Sequence, residues 1–211
     1  MTEIEKKLNL IFPHLNDSKL ISELATIGKI IKIPRGAIIL DEGQYIEYVP
    51  LMISGIVKVK RKNEENKIVF LYYLKSGESC AMTLSSCLKR QKSKVIANVL
   101  EDASVLLIPS NKIFFFMKNY ANWSEFVLNT FQDKFNDAIS AVERLAFMSL
   151  EEQIIDVIKC TVKVYNSNTI HTTHQTIADD LSTSRVIISR IVKKLEKEGV
   201  LTLGYKSITL N

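Results

Sequence analysis

The run QTIADDLSTSRVIISRIVKKLEKEGVL, residues 175–201, reads as two helices with a break between them. The first begins at about Gln175 and sets Ile177, Ala178 and Leu181 on an apolar side. Ser182, Thr183 and Ser184 form the break. The second runs from about Ser184 to Glu198, and its apolar face is Ile188, Ile191, Val192 and Leu195, an i, i+3, i+4, i+7 set. The small Ala178 and the β-branched Ile188 fall where two steeply crossed helices would pack, which is the geometry of a helix-turn-helix.

The outer face of the second helix carries Arg185, Ser189, Arg190, Lys193, Lys194 and Lys197. Between residues 184 and 197 the basic residues Arg185, Arg190, Lys193, Lys194 and Lys197 face a single acid, Glu196. A helix that is basic outside and apolar inside can lie in the major groove, where arginine near its N-terminal end forks onto guanine O6 and N7. Lysines further along suit phosphates. A solvated surface helix would show similar charges, but the two-helix spacing weighs against that. The expected DNA-binding residues are His174, Gln175, Ser184, Arg185, Val186, Ser189, Arg190 and Lys193, with His174 read as a phosphate contact. After Gly199, Val200–Leu203 and Ser207–Leu210 read as two strands around Gly204, Tyr205 and Lys206, a hairpin wing.

Upstream of this, a helix from about Trp123 to Phe147 places Val127, Phe131, Phe135, Ala138, Val142 and Leu145 at steps of three or four. Such spacing sustained over turns is the seam of a coiled coil, so these residues are expected to join two copies of the chain. Packing on the chain's own β domain is the plainer alternative. Ser149 followed by Glu152 fits a capping box, which starts the next helix, Leu150–Val164, and leaves Phe147–Ser149 as a hinge.

The first half changes period. Residues 3–28 read as two short helices broken by Pro13 and by Asn16, Asp17 and Ser18. Strands follow around Ile31–Ile33, Ile38–Leu40, Ile56–Lys60, Ile68–Leu74, Lys94–Leu100 and Ser104–Ile108, with Ser54-Gly55 as punctuation and Lys62–Asn66 as a polar turn. Short strands at such spacing argue for an antiparallel barrel or sandwich. Asn111–Asn119 reads as a short helix.

These 211 residues fit one large domain or two modest ones at roughly 100–200 residues each. An apolar fraction of 46% and a charged fraction of 24% are ordinary for a globular chain, so disorder is not indicated. A net charge of +5 is compatible with a polyanionic partner without requiring one. Met1–Lys7 is charged with no apolar run behind it, and no stretch nears the roughly 20 apolar residues of a membrane span. Three cysteines, Cys80, Cys87 and Cys160, are too few for a disulfide framework. The expectation is a cytoplasmic protein with reduced thiols and no membrane partner. No candidate triad, metal cluster, P-loop or GxGxxG appears, so an enzyme is not expected and no metal site is assigned. A helix-turn-helix that binds protein instead of DNA is disfavoured by the basic outer face.

Residues 175–201 resemble the effector domain of the Crp–Fnr family of bacterial regulators. The N-terminal half resembles that family's cyclic-nucleotide-binding β-roll through Gly36, Gly43, Gly55 and the Gly77-Glu78 pair at turn positions. The resemblance spans nearly the whole chain. It implies an α+β protein: a jelly-roll-like antiparallel β-roll sensor (1–120), a dimerisation helix and hinge (121–148) and a winged helix-turn-helix (149–211). It also implies a homodimer that regulates transcription on double-stranded DNA under an effector; RNA polymerase is a further expected partner.

The departures carry information. Ser182 stands where the family usually has glycine, so a left-handed backbone there would cost on the order of 1 kcal/mol. Arg185 is followed by Val186 where the family often has Arg-Glu, and valine cannot accept from cytosine. Family members that bind cyclic AMP hold it with a Gly-Glu pair and an Arg-Ser pair; those positions fall at Ala81-Met82 and Lys92-Ser93. Methionine offers the ribose only a weak thioether, and lysine lacks the guanidinium fork. The effector pocket is expected from Gly77, Glu78, Cys80, Met82, Leu84, Cys87, Lys92 and Ser93, suited to an apolar or weakly polar ligand, with Lys92-Ser93 able to hold a carboxylate. Cyclic AMP is therefore not the expected effector. An iron–sulfur cluster is excluded because its family ligands lie near the N-terminus and no cysteine precedes Cys80. The alternative is a regulator that needs no effector, or one that responds to thiol redox through Cys80 and Cys87.

Overall fold

The computed structural model describes residues 1–63 and 68–211. The polar turn read over Lys62–Asn66 therefore lies, from Glu64 onward, outside the described residues. Two compact units are present: Met1–Arg61 with Leu71–Asp137, and Ala138–Asn211 with the described residues of Lys62–Phe70.

The first unit opens with α1 (Glu3–Ile11) and α2 (Ser18–Ile27), capped by Thr2 and Asp17. A single antiparallel sheet follows, in the order β1 (Lys29–Ile33), β5 (Ile96–Pro109), β3 (Tyr48–Lys62), β4 (Ile68–Leu74), with β2 (Ile38–Leu40) on the same edge of β5 as β1. Two strands are longer than expected. Ser54-Gly55 does not end a strand, and the Lys94–Leu100 and Ser104–Ile108 segments are parts of one strand. The cause is a set of register shifts between Met52 and Val57, which let β3 stay paired to β5 from Tyr48 to Lys60. Gly55 makes this work. Its φ is +86°, and a Cβ there would sit 2.5 Å from the Asp102 carbonyl oxygen.

The period-2 pattern of these strands divides two cores. Val49, Leu51 and Ile53 of β3 and Leu106 and Ile108 of β5 face Leu8, Leu20, Leu24 and Trp123 of the surrounding helices. Met52, Val57 and Val59 of β3 and Val99, Ala103 and Val105 of β5 fill the inside of the roll with Leu74 and Cys80. A helix not anticipated, α3 (Ala81–Leu88), lies between β4 and β5 in the chain. Then come α4 (Ser110–Asn119) and α5 (Ala121–Phe147), whose Trp123 packs edge-on against Phe116 at 5.4 Å between ring centroids.

Val127 corrects the expected seam. It is fully buried in the helical core of its own unit, so it cannot face a second copy. Leu128 beside it is 62% exposed. Leu128, Phe135 and Val142 repeat at a strict seven, alternating with Phe131, Ala138 and Leu145. That is an a/d heptad pattern along one helix face.

The second unit holds α6 (Leu150–Tyr165), α7 (His174–Asp180), α8 (Arg185–Lys197) and a sheet ordered β6 (Thr169–Ile170), β8 (Ser207–Leu210), β7 (Leu201–Gly204). The Ser149–Glu152 capping box forms in both directions. Ile154, Ile158, Ile177, Ala178, Ile188, Val192, Leu195, Leu201 and Ile208 make its core. The small strand β6 was not anticipated; two residues give no period to read.

Candidate nucleic-acid interface and sensor pocket

The two helices of the motif start on hydroxyl caps. Thr173 Oγ1 accepts from Thr176 N–H, and Ser184 Oγ accepts from Ile187 N–H. Between them Ser182 carries φ +50°, and Thr183 N–H donates to the Ala178 carbonyl, which closes the turn. A serine thus takes the left-handed position that glycine fills more cheaply.

Ile188, Val192 and Leu195 hold α8 to the core. The opposite face presents Arg185, Val186, Arg190, Lys193 and Lys197 to solvent; Val186, at 79% exposure, is an apolar side chain with nothing of its own chain to cover it. Lys194 differs. Its ammonium lies 2.7 Å from Glu151 and 3.6 Å from Glu198, and the Glu151 carboxylate raises its pKa above the usual lysine value. It ties α8 to α6 and does not belong with the free outer cations.

His174 also makes a contact within the motif. Its Nδ1 is 2.9 Å from the Ser189 hydroxyl, joining the start of α7 to the middle of α8. Burial, then the charges of Arg185 and Lys193, lowers its pKa below 6.5. The contact with Ser189 pins the two helices of the motif together. Gln175 is exposed, with its amide donating to Asp179. A groove of about 470 Å³ runs past His174, Gln175, Arg185 and Lys206. Lys206 sits in the two-residue turn of the wing at φ +49°; sequence reading named the wing but not this lysine as a DNA candidate. Its signal was its place at the tip of a hairpin.

The expected sensor residues do not form one pocket. Cys80 and partly buried Met82 belong to the roll interior, whereas Leu84 and Cys87 face the helical core. The physical reason is α3: Met82 and Leu84, two residues apart on a helix, are turned about 200° from each other. Cys80 Sγ accepts from Thr83 N–H as the helix cap, and Met82 N–H donates to the Tyr72 hydroxyl. The same hydroxyl lies 3.5 Å from Cys80 Sγ, and burial pushes its pKa well up. Tyr72 was missed, since nothing in its sequence neighbourhood signals a helix-capping hydroxyl. Cys87 sits at the other end of α3, where burial raises its pKa and its thiol donates to the Ser110 carbonyl. The two cysteines stand roughly 10 Å apart along the helix at about 1.5 Å per residue, against the ~4.4–6.8 Å between Cα atoms that a disulfide needs.

Lys92 and Ser93 do not converge on the roll either. Ser93 Oγ donates to the Val95 carbonyl and accepts from Val95 N–H. Lys92 is exposed, its ammonium 5.1 Å from the Tyr45 ring centroid. Gly77 takes φ +87° and Glu78 accepts from Lys75 N–H, so this pair builds the turn before α3. These residues do not fit a cyclic nucleotide: the N–H groups of Met82 and Thr83 are already bonded, and no guanidinium stands at the Lys92 position.

An antiparallel roll joined in one chain to a winged helix-turn-helix with a basic outer helix defines a class, the DNA-binding transcription regulators that carry their own sensor domain. Residues 30–120 match the family model of the cyclic nucleotide-binding domain, and residues 150–211 match that of the Crp-like helix-turn-helix domain. The chain belongs to the Crp–Fnr family of DNA-binding transcription regulators. Among solved structures it resembles a crp/fnr-family regulator from Eubacterium rectale, at 21% identity over 95% of this chain and 94% of that one, with a TM-score of 0.82. It also resembles the c-di-GMP responsive global regulator CLP of Xanthomonas campestris, at 17% identity, 92% and 99% coverage and a TM-score of 0.80. A Crp/Fnr-family regulator from Thermus thermophilus matches at 17% identity, 87% and 93% coverage and a TM-score of 0.71. At such identities the likeness is one of fold. No curated protein matches the chain. Among the described residues no helix is long and apolar enough to cross a membrane, and no group of three His, Cys, Asp or Glu side chains could hold a metal ion.

Proposed function

We propose that the chain is a cytoplasmic homodimer that binds a near-palindromic duplex site, its half-sites about one helical turn apart. In this reading residues 1–120 sense, 121–148 join two copies and 149–211 read DNA; RNA polymerase is the partner that a bound dimer meets. The observation that carries it is the outer face of α8, where Arg185, Val186, Arg190 and Lys193 are all exposed on a helix fixed by its buried opposite face. Arg185 and Arg190 contact bases and Lys193 a phosphate. Selection from a pool of random duplexes, followed by binding at several salt concentrations, tests this. A palindromic consensus with strongly salt-dependent affinity is expected; equal affinity for every duplex would overturn it.

Its effector is not cyclic AMP. A regulator that needs no effector is the second reading, favoured by the roll interior, where Met52, Val57, Val59 and Val105 are all fully buried. Mass spectrometry of small molecules that copurify with the protein separates the two. A switch through a Cys80–Cys87 bond within one chain has no geometric support.

A further inference from the structure

A groove of about 570 Å³ opens in the sensor unit, lined by Tyr45, Ser86, Arg90, Gln91, Asn111 and Phe114, with Cys87 beneath. None of these residues belongs to the roll interior. The volume falls in the range of about 300–1,000 Å³ common for small-molecule sites.

Its polar side chains include a guanidinium, hydroxyls and two amides, and no carboxylate among the described residues lines it. Arg90 is exposed, and no acidic side chain among the described residues pairs with it. The end of α3 does not oppose an anion there, because the Cys87 and Ser86 carbonyls accept from Arg90 and Gln91 N–H. α4 begins at the groove behind Pro109, whose ring can supply no cap; Ser110 N–H donates to the Glu47 carbonyl, and no side chain caps the N–H groups that follow. Ser86 is an independent sign. It is only 4% exposed and lines the groove, yet its hydroxyl bonds no protein group among the described residues. That hydroxyl is free to donate to a group in the groove. Tyr45 at 70% exposure and Phe114 at 53% add two open aromatic surfaces.

We propose that this groove binds a small ligand carrying an oxyanion, phosphate or carboxylate, on a planar apolar body. The oxyanion accepts from the Arg90 guanidinium, the Ser86 hydroxyl and the Asn111 and Lys112 N–H groups in the first turn of α4. The body lies against Tyr45 and Phe114. The site is separate from the roll and independent of the DNA-reading unit.

The full-length protein is titrated with inorganic phosphate, phenyl phosphate and benzoate, by calorimetry and by amide shifts. At least one aromatic probe binds about tenfold or more tighter than inorganic phosphate, and which one tells phosphate from carboxylate. Its shifts centre on Ser86–Gln91 and Ser110–Phe114. Arg90→Ala and Ser86→Ala each weaken it by about tenfold, the loss of one hydrogen bond to a charged group, while the melting temperature holds. Phe114→Ala brings the aromatic probe down to the level of inorganic phosphate. Shifts centred elsewhere, no binding of either aromatic probe at millimolar concentration, or folded Arg90→Ala and Ser86→Ala variants that bind as the parent does would each overturn the proposal.

Discussion

The Nδ1 atom of His174 lies 2.9 Å from the hydroxyl oxygen of Ser189, so the start of one motif helix is hydrogen-bonded to the middle of the other. The ring is partly buried and flanked by the charges of Arg185 and Lys193, and its pKa falls below 6.5. In the unfolded chain the same histidine binds a proton more readily. The unfolded state therefore gains protons as pH drops through 6.5, and the stability contributed by the neutral ring is present above that value and lost below it. A proton NMR titration of the His174 ring is expected to show a midpoint below 6.5; a midpoint at or above it would contradict the neutral pin.

Lys193 and Lys194 are neighbours with different expected behaviour on DNA. Lys193 is exposed on the outer face, whereas Lys194 is held by Glu151 and Glu198. Lys193→Ala should weaken binding to all sequences alike and reduce the salt slope by about one. Lys194→Ala should leave that slope unchanged. Arg185→Ala should cost roughly 1–3 kcal/mol and relax preference at one base pair. Val186 can touch a thymine methyl but cannot accept from cytosine, so the selected consensus should differ there from that of glutamate-bearing relatives. Anisotropy measured over a salt series with matched and mismatched duplexes checks each of these.

Along α5 the exposure of Leu128, Phe135, Val142 and Leu145 separates a seam from a core. Val142→Glu puts two like charges near the dimer axis, a cost of several kcal/mol by the price of buried unpaired charge, and sedimentation should then show monomer. Val127→Ala should leave the dimer intact and destabilise the protomer by about 2 kcal/mol through lost burial and a cavity. A parent chain that is monomeric at micromolar concentration, or a dimer lost on Val127→Ala, would sink this assignment.

The DNA-reading unit was legible because its signals are local. The Ser149–Glu152 box and the 3.6 period of Ile188, Ile191, Val192 and Leu195 lie within a few residues of what they specify. The sensor was less so. Gly55 reads as a stop, but only its partner Asp102, far off in sequence, shows that it is a bulge inside a continuing strand. α3 was invisible because Ala81, Thr83, Leu84, Ser86 and Cys87 are all buried, so no polar face marks a helical period. Once α3 forms, Cys80 and Cys87 must part. The step from Val127 to Leu128 in the seam is a single residue of helical phase, which both apolar side chains satisfy by pattern; burial decides between them.

Tyr72 and α3 together should keep cyclic AMP from binding the roll. A cyclic phosphate needs oriented donors, and a helix N-terminus supplies them only while its N–H groups are free. Here the Met82 N–H bonds the Tyr72 hydroxyl and the Thr83 N–H bonds Cys80 Sγ. Ser93 spends its hydroxyl on the Val95 backbone, and Lys92 stands exposed over Tyr45. The ribose hydroxyl would meet the Met82 thioether in place of a carboxylate, leaving a buried donor unpaired at about 1–3 kcal/mol. Losing the phosphate fork as well should weaken affinity by several orders of magnitude relative to a site that has both. Calorimetric titration with cyclic AMP and with cyclic GMP should show no heat beyond dilution. Micromolar affinity for either nucleotide would require α3 to give up the Tyr72 and Cys80 contacts, and amide shifts at Met82 and Thr83 would then report it directly.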